Sequence, residues 1–230
     1  MTPEAATALL DVVGHEIDVW KFGWGTAYLD KGLGRKISCL RAHDVEACLG
    51  GTLLEIAWSQ GRAEECLAWA EEQGFTAVEV SRGTADMPLD AKHELVKRAA
   101  DTFTVLAETG VKDPRVILPA QQWRDEMADD LAAGATWLIA EGRESGTVGL
   151  YDGSGNPRPD IVEAAVEAAG VERVLFESPR KDQQAWFIDA FGSDVNLANI
   201  APDDVLPLTT LRLGLRADTA HLSLGSAGVE

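Results

Sequence analysis

This 230-residue chain is poor in the residues that would mark several common chemistries. It has three cysteines, Cys39, Cys48 and Cys66, and their spacing matches neither a zinc site nor a disulfide framework. With no signal-like opening segment, a reducing cytoplasm is the expected compartment. Its four histidines follow no metal-ligand spacing, and none directly follows a strand-like run, so no Ser-His-Asp or Cys-His nucleophile can be assembled. Covalent acyl chemistry is therefore not expected. No GxGxxG turn or P-loop is present, and no apolar run approaches the roughly 20 residues of a membrane-spanning helix. Positive charge is scarce as well: 20 Lys and Arg against 38 Asp and Glu give a net charge of -18. Such a field repels nucleic acids and acidic membrane surfaces, and leaves an anionic small molecule only where local bases outweigh it.

What is present is alternation. Short apolar or β-branched runs at Ile17–Phe22, Val45–Leu49, Ala77–Val80, Phe103–Ala107, Thr136–Ala140, Glu172–Phe176 and Val195–Ile200 predict seven strands. Amphipathic stretches at 3–13, 62–73, 89–101, 121–133, 160–169 and 181–191 predict helices, with Gly74, Gly134, Gly170 and Gly192 as end signals. This many βα units without a nucleotide turn predict an α/β fold of the (β/α)8 TIM-barrel type, with the first strand missing and seven visible. The expected single barrel domain covers 1–219, and 220–230 form a loose tail.

Ligand sites of parallel barrels lie at the carboxyl ends of the strands, and here those ends are polar. Lys21, Gly51, Thr52, Glu55, Glu79, Ser81, Arg82, Glu108, Lys112, Glu141, Arg143, Glu144, Glu177, Asn196 and Asn199 all lie within or just after predicted strands. Glycines among them would let backbone amides approach an anion. Each acid also admits a plainer role: Glu55 and Glu177 as helix caps or salt-bridge partners, Glu141 and Glu144 as ion partners of Arg143. The tryptophans, Trp58, Trp69, Trp123 and Trp186 among them, suit core or interface positions. Carboxylates with a few lysines and arginines suit Mg²⁺-assisted enolate chemistry on a phosphorylated or carboxylated small molecule.

At these residues the chain resembles the phosphosulfolactate synthase family of coenzyme M biosynthesis. The likeness runs from about Pro3 to Thr219, through KFGWGT (Lys21–Thr26), GGTLLE (Gly50–Glu55), GFTAVEVS (Gly74–Ser81), EGRESG (Glu141–Gly146), FESPRKDQQ (Phe176–Gln184), VNLANI (Val195–Ile200) and LRLGLRADT (Leu211–Thr219). It implies a Mg²⁺-dependent, homo-oligomeric barrel that adds sulfite to phosphoenolpyruvate. It implies Lys112 as the proton donor at C2, Lys21, Arg143 and Arg216 as holders of carboxylate, phosphate or sulfite, and Glu79, Glu108, Glu141 and Glu177 as metal candidates. Among these, Glu79, Glu141 and Glu177 are the expected ligands, with Glu108 beside Lys112 and Arg143 in the catalytic group. Gly51, Thr52, Ser81, Arg82, Asn196, Asn199 and Arg216 join Lys21 as expected substrate contacts.

Three departures stand beside the likeness. The family's opening strand with its Asp-Lys-Gly end has no counterpart, since Asp30–Gly32 follows the KFGWGT strand. Arg82 stands where an acid follows Glu-x-Ser, and Val111-Lys112 stands where paired lysines often occur. A relative using another nucleophile or enol substrate, and a non-catalytic stress-associated barrel, therefore remain alternatives.

Overall fold

A computed structural model describes residues 1–110 and 115–224. Seven strands form one parallel sheet in sequential order: β1 (Val19–Phe22), β2 (Glu46–Leu49), β3 (Ala77–Val80), β4 (Thr104–Thr109), β5 (Trp137–Ala140), β6 (Val174–Glu177) and β7 (Leu197–Ala198). All seven predicted runs are strands; Ala77–Val80 keeps its predicted bounds, and the others are trimmed or shifted by a residue or two at their ends. Among the described residues no pairing joins β7 to β1, so the curved sheet is open at that seam.

Among the described residues ten α-helices accompany the strands: α1 (Pro3–Val13), α2 (Thr26–Leu29), α3 (Leu33–Ala42), α4 (Gly51–Ser59), α5 (Ala63–Gln73), α6 (Leu89–Ala100), α7 (Ala120–Ala133), α8 (Pro159–Ala169), α9 (Lys181–Phe191) and α10 (Val205–Arg212). The six predicted helices are α1 and α5 to α9. Gly74 and Gly134 close α5 and α7 at φ 90° and 116°, a left-handed conformation that glycine adopts without a steric penalty.

Because strand side chains alternate between faces, the sheet has two apolar layers. Phe22, Leu49, Val78, Val80, Val105, Ala107, Leu138, Ala140, Val174 and Phe176 belong to the large core shared with the helices. Cys48, Ala77, Leu106 and Ile139, flanked by Val19, Trp137 and Leu175, form a separate small cluster on the other, inner face. Burial there pushes the Cys48 thiol well up, so it behaves as an inert core residue.

The chain past 219 is not wholly a loose tail. Ala220–Leu222 form a 3₁₀ turn, and Ser223 Oγ donates to the Leu213 carbonyl, while residues 225–230 lie outside the described residues. Among the described residues no helix is long and apolar enough to cross a membrane.

Candidate active site

Two residues beyond five members of the inner apolar cluster, the same face turns polar. Val19 leads to Lys21, Ala77 to Glu79, Leu106 to Glu108, Ile139 to Glu141 and Leu175 to Glu177. The period of two keeps these side chains on the inner face, and the common strand direction puts them all at the carboxyl end. All four carboxylates are buried, none more than 4 % exposed.

Lys21 Nζ joins two of them, at 2.6 Å from Glu79 Oε2 and 3.1 Å from Glu177 Oε1. Burial by itself would lower the Lys21 pKa, but the charges of Glu79, Glu177 and Glu108 outweigh it and raise it well above the ordinary lysine value. For Glu177 burial favours the acid form, and Lys21, the Gly142 amide and the Glu141 carboxyl reverse this, leaving its pKa lowered. An ammonium and a carboxylate thus persist side by side at neutral pH.

Glu108, Glu141 and Glu177 each bring one oxygen into a group whose members lie within 4.8 Å of one another. Three hard oxygen donors in a buried site fit a small divalent cation such as Mg²⁺. Glu79 stands aside from this trio. Its Oε1 accepts from the Gly51 amide at 2.9 Å and its Oε2 faces Lys21, so the trio contains Glu108 where Glu79 was expected.

Backbone geometry supports the trio from the β5 side. Arg143 takes a left-handed φ of 57°, and its amide donates to Glu141 Oε1 at 2.6 Å and to Glu177 Oε2 at 3.1 Å. Gly142 adds a second amide to Glu177 Oε2 at 3.1 Å, and a Cβ there would lie 2.5 Å from the Tyr151 ring and 2.9 Å from the Glu177 carbonyl. Tyr151 Oη donates to that carbonyl at 2.5 Å. Gln183 Nε2 donates to the Gly146 and Gly155 carbonyls at 2.8 and 2.9 Å, binding the long β5–α8 loop to α9.

Other expected contacts hold the protein itself. Glu55 is inside α4, not in a loop, and its buried carboxylate accepts from Ser81 Oγ and from the Thr84 and Ala85 amides, both at 2.6 Å. Glu55 is therefore the structural alternative, and the Ser81 hydroxyl is spent on it. Arg82 places its fork on Glu126 of α7, at 3.1 and 2.7 Å, so its charge is neutralised in the helix layer. Asn196 is at the wrong end: its side chain donates to the Glu172 carbonyl at 3.0 Å, before β6 begins. Gly51 opens α4 with Thr52 next in the helix, Asn199 follows β7 at a left-handed φ of 58°, and Arg216 is half-buried in the loop after α10. Asp30 and Gly32 form a local turn, with Asp30 accepting from the Gly32 amide and Lys36. Lys112 lies outside the described residues.

One cluster was missed. Lys92 of α6, with Glu126 and Asp130 of α7, is fully or almost fully buried. The available signal is a lysine on the apolar stripe Leu95, Val96, Ala99, matched by acids four residues apart on the stripe Trp123, Met127, Ala133.

The (2R)-phospho-3-sulfolactate synthase (ComA) family model matches residues 1–218. The chain belongs to the phosphosulfolactate synthase family. It is accordingly a phosphosulfolactate synthase-like enzyme of the carbon–sulfur bond-forming, lyase type. Proteins named phosphosulfolactate synthase are similar to it along most of their length. That of Methanocaldococcus jannaschii is 42 % identical over 95 % of this chain and 90 % of its own. The Methanothermobacter thermautotrophicus protein is 40 % identical over 95 % and 87 %, and the Bacillus subtilis protein 41 % over 90 % and 83 %. Among solved structures, a 3-hexulose-6-phosphate synthase superposes with a TM-score of 0.60 at 19 % identity, covering 92 % of this chain and 94 % of that one. The Salmonella typhimurium enzyme of that name gives 0.56 at 13 %, covering 94 % and 96 %. These likenesses establish the α/β barrel-type fold and nothing finer.

Proposed function

We propose that this phosphosulfolactate synthase family member catalyses the Mg²⁺-dependent addition of sulfite to phosphoenolpyruvate, giving phosphosulfolactate. The observation that carries the reading is the inner-face layer of Lys21, Glu79, Glu108, Glu141 and Glu177, three of whose carboxylates converge within 4.8 Å. Glu108, Glu141 and Glu177 would hold the cation. When bound, it supplies positive charge to the acceptor's carboxylate oxygens.

The sulfur lone pair of sulfite forms a bond to the C3 methylene carbon, and the C2–C3 π pair moves onto C2 and its carboxylate. A proton then reaches C2, and Lys112 is its source in this proposal, on the strength of the family resemblance. Lys21 keeps its proton, held by Glu79 and Glu177, and so acts as a fixed positive charge toward the anionic substrates rather than as a base. Arg143, in its strained turn beside the trio, and Arg216 are the proposed partners of substrate oxyanions, since a guanidinium fork suits them. Arg82, which first suggested a different substrate, is paired with Glu126 and carries no such implication. We place the enzyme in the cytoplasm as a homo-oligomer, a state that sedimentation of the purified protein measures.

The test is turnover. Purified protein with Mg²⁺ should consume sulfite and phosphoenolpyruvate in equal amounts, followed by ³¹P NMR, and Lys112→Ala should abolish product. Loss of phosphoenolpyruvate without sulfite dependence would mark a different nucleophile. No turnover from pH 6 to 9 would dismiss the proposal.

A further inference from the structure

Three short polar contacts outside the trio belong to one fully buried side chain, Lys92. Lys92 is 0 % exposed, yet its ammonium donates to Glu126 Oε1 at 2.9 Å, Asp130 Oδ2 at 2.6 Å and the backbone carbonyl of Glu108 at 2.8 Å. A buried ammonium is costly unless every proton finds an acceptor, and here three protons meet three oxygens.

The third acceptor is the informative one. The Val105 carbonyl accepts from Thr136 at 2.9 Å and that of Thr109 from Glu141 at 3.0 Å, so alternate carbonyls of β4 face β5. The carbonyls between them, including that of Glu108, face β3. But β3 ends at Val80, opposite Ala107. The Glu108 carbonyl therefore extends beyond the last strand residue able to bond it, and Lys92 takes the place of the missing amide. Asp130 reinforces the same point of the chain, since Thr109 Oγ1 lies 3.4 Å from its Oδ2.

Immediately beyond, Gly110 passes so near Glu141 that a Cβ would lie 2.5 Å from the Glu141 Cβ. The end of β4 has little room to drift before Glu108 and Glu141 lose their relative placement. Lys92 is also joined through Glu126 to Arg82, so the β3 loop and the β4 terminus share one anchor in the helix layer.

We propose that Lys92 is a positioning residue for the carboxylate trio: by ending the β4 ladder in place of β3, it sets where Glu108 presents its oxygen to the cation. The inference rests on the trio being the metal site. Lys92 touches neither metal nor substrate, and it acts through the Glu108 backbone.

The experiment is a Mn²⁺ titration of metal-free protein, read by electron paramagnetic resonance, with urea unfolding in parallel. Wild type, Glu108→Gln, Lys92→Met, Glu126→Gln and the remote core variant Leu40→Ala are compared. Supporting partners of metal ligands commonly contribute 10–100-fold in affinity, so Lys92→Met should bind Mn²⁺ at least about tenfold more weakly. Glu126→Gln, which leaves Lys92 its other two acceptors, should weaken binding less, about threefold, below that range. Leu40→Ala should lose stability without losing Mn²⁺, separating position from general destabilisation.

If wild type binds Mn²⁺ through Glu108 and folded Lys92→Met binds it equally well, this inference fails and the metal reading stands. If Lys92→Met does not fold, unchanged binding by Glu126→Gln overturns the inference. If wild type binds no Mn²⁺, the metal reading fails and takes this inference with it.

Discussion

Lys21→Met removes the ammonium from between Glu79 and Glu177 while keeping most of the side chain's volume. The contacts at 2.6 and 3.1 Å are short, and the two carboxylates are 4 % and 3 % exposed. Deleting one member of a buried, hydrogen-bonded ion pair costs about 3–5 kcal/mol, chiefly because the other charge is left behind. The Lys21 side chain is itself 26 % exposed, so water already screens part of the interaction and about 2–3 kcal/mol is the better expectation. For a domain of this size that corresponds to a fall of roughly 4–12 °C in Tm. Divalent cation should reverse part of the loss. The variant's carboxylates no longer share an ammonium, so Mg²⁺ binds them more favourably and raises Tm further than in wild type. Turnover should nevertheless be lost, since a metal at the trio does not restore a fixed positive charge at β1.

The pH dependence follows from the two shifts. Lys21 has a raised folded pKa, so its contribution is complete below the ordinary lysine value of about 10.4 and disappears as pH rises through the folded value. Glu177 has a lowered one, so its contribution is complete above about 4.3 and disappears as pH falls through the folded value. The stability difference between wild type and Lys21→Met should therefore be flat between those limits. A urea-unfolding loss below about 0.5 kcal/mol, the level of an ordinary surface substitution, would refute the pairing argument. Equal Mg²⁺-induced Tm shifts in the two proteins would refute the idea that Lys21 and the metal share carboxylates.

Four further outcomes are expected. Glu55→Leu should lower urea-unfolding stability by about 3 kcal/mol or more, because the Ser81 hydroxyl and the Thr84 and Ala85 amides lose a buried acceptor. Glu55→Gln should cost only about 1–2 kcal/mol, since the amide oxygen can serve the two backbone donors while Ser81 turns to accept. Gly142→Ala should displace Tyr151 from the Glu177 carbonyl, costing about 1–3 kcal/mol by overpacking and lowering kcat more than it raises KM; unchanged kcat would mean that this turn does not align the trio. Replacing Glu108, Glu141 and Glu177 one at a time with Gln should each weaken Mn²⁺ binding much more than Glu79→Gln does, as measured by calorimetry.

Alternation and punctuation along the chain sufficed for the seven strands, six of the ten helices and the polar rim. Even the inner layer is legible: Val19-x-Lys21, Ala77-x-Glu79, Leu106-x-Glu108, Ile139-x-Glu141 and Leu175-x-Glu177 are all period-two spacings, because pleating is a local property of the backbone. Partner choice is not local. Glu79 and Glu108 look alike in sequence, yet Lys21 and the Gly51 amide take the first while the second joins Glu141 and Glu177. Likewise Ser81, Arg82 and Asn196 are all polar residues near strand ends, but Glu55, Glu126 and the Glu172 carbonyl draw them into structural bonds. Strand register and helix placement set those distances. A side chain several ångströms long commits itself only after neighbouring strands have fixed which charges lie within reach.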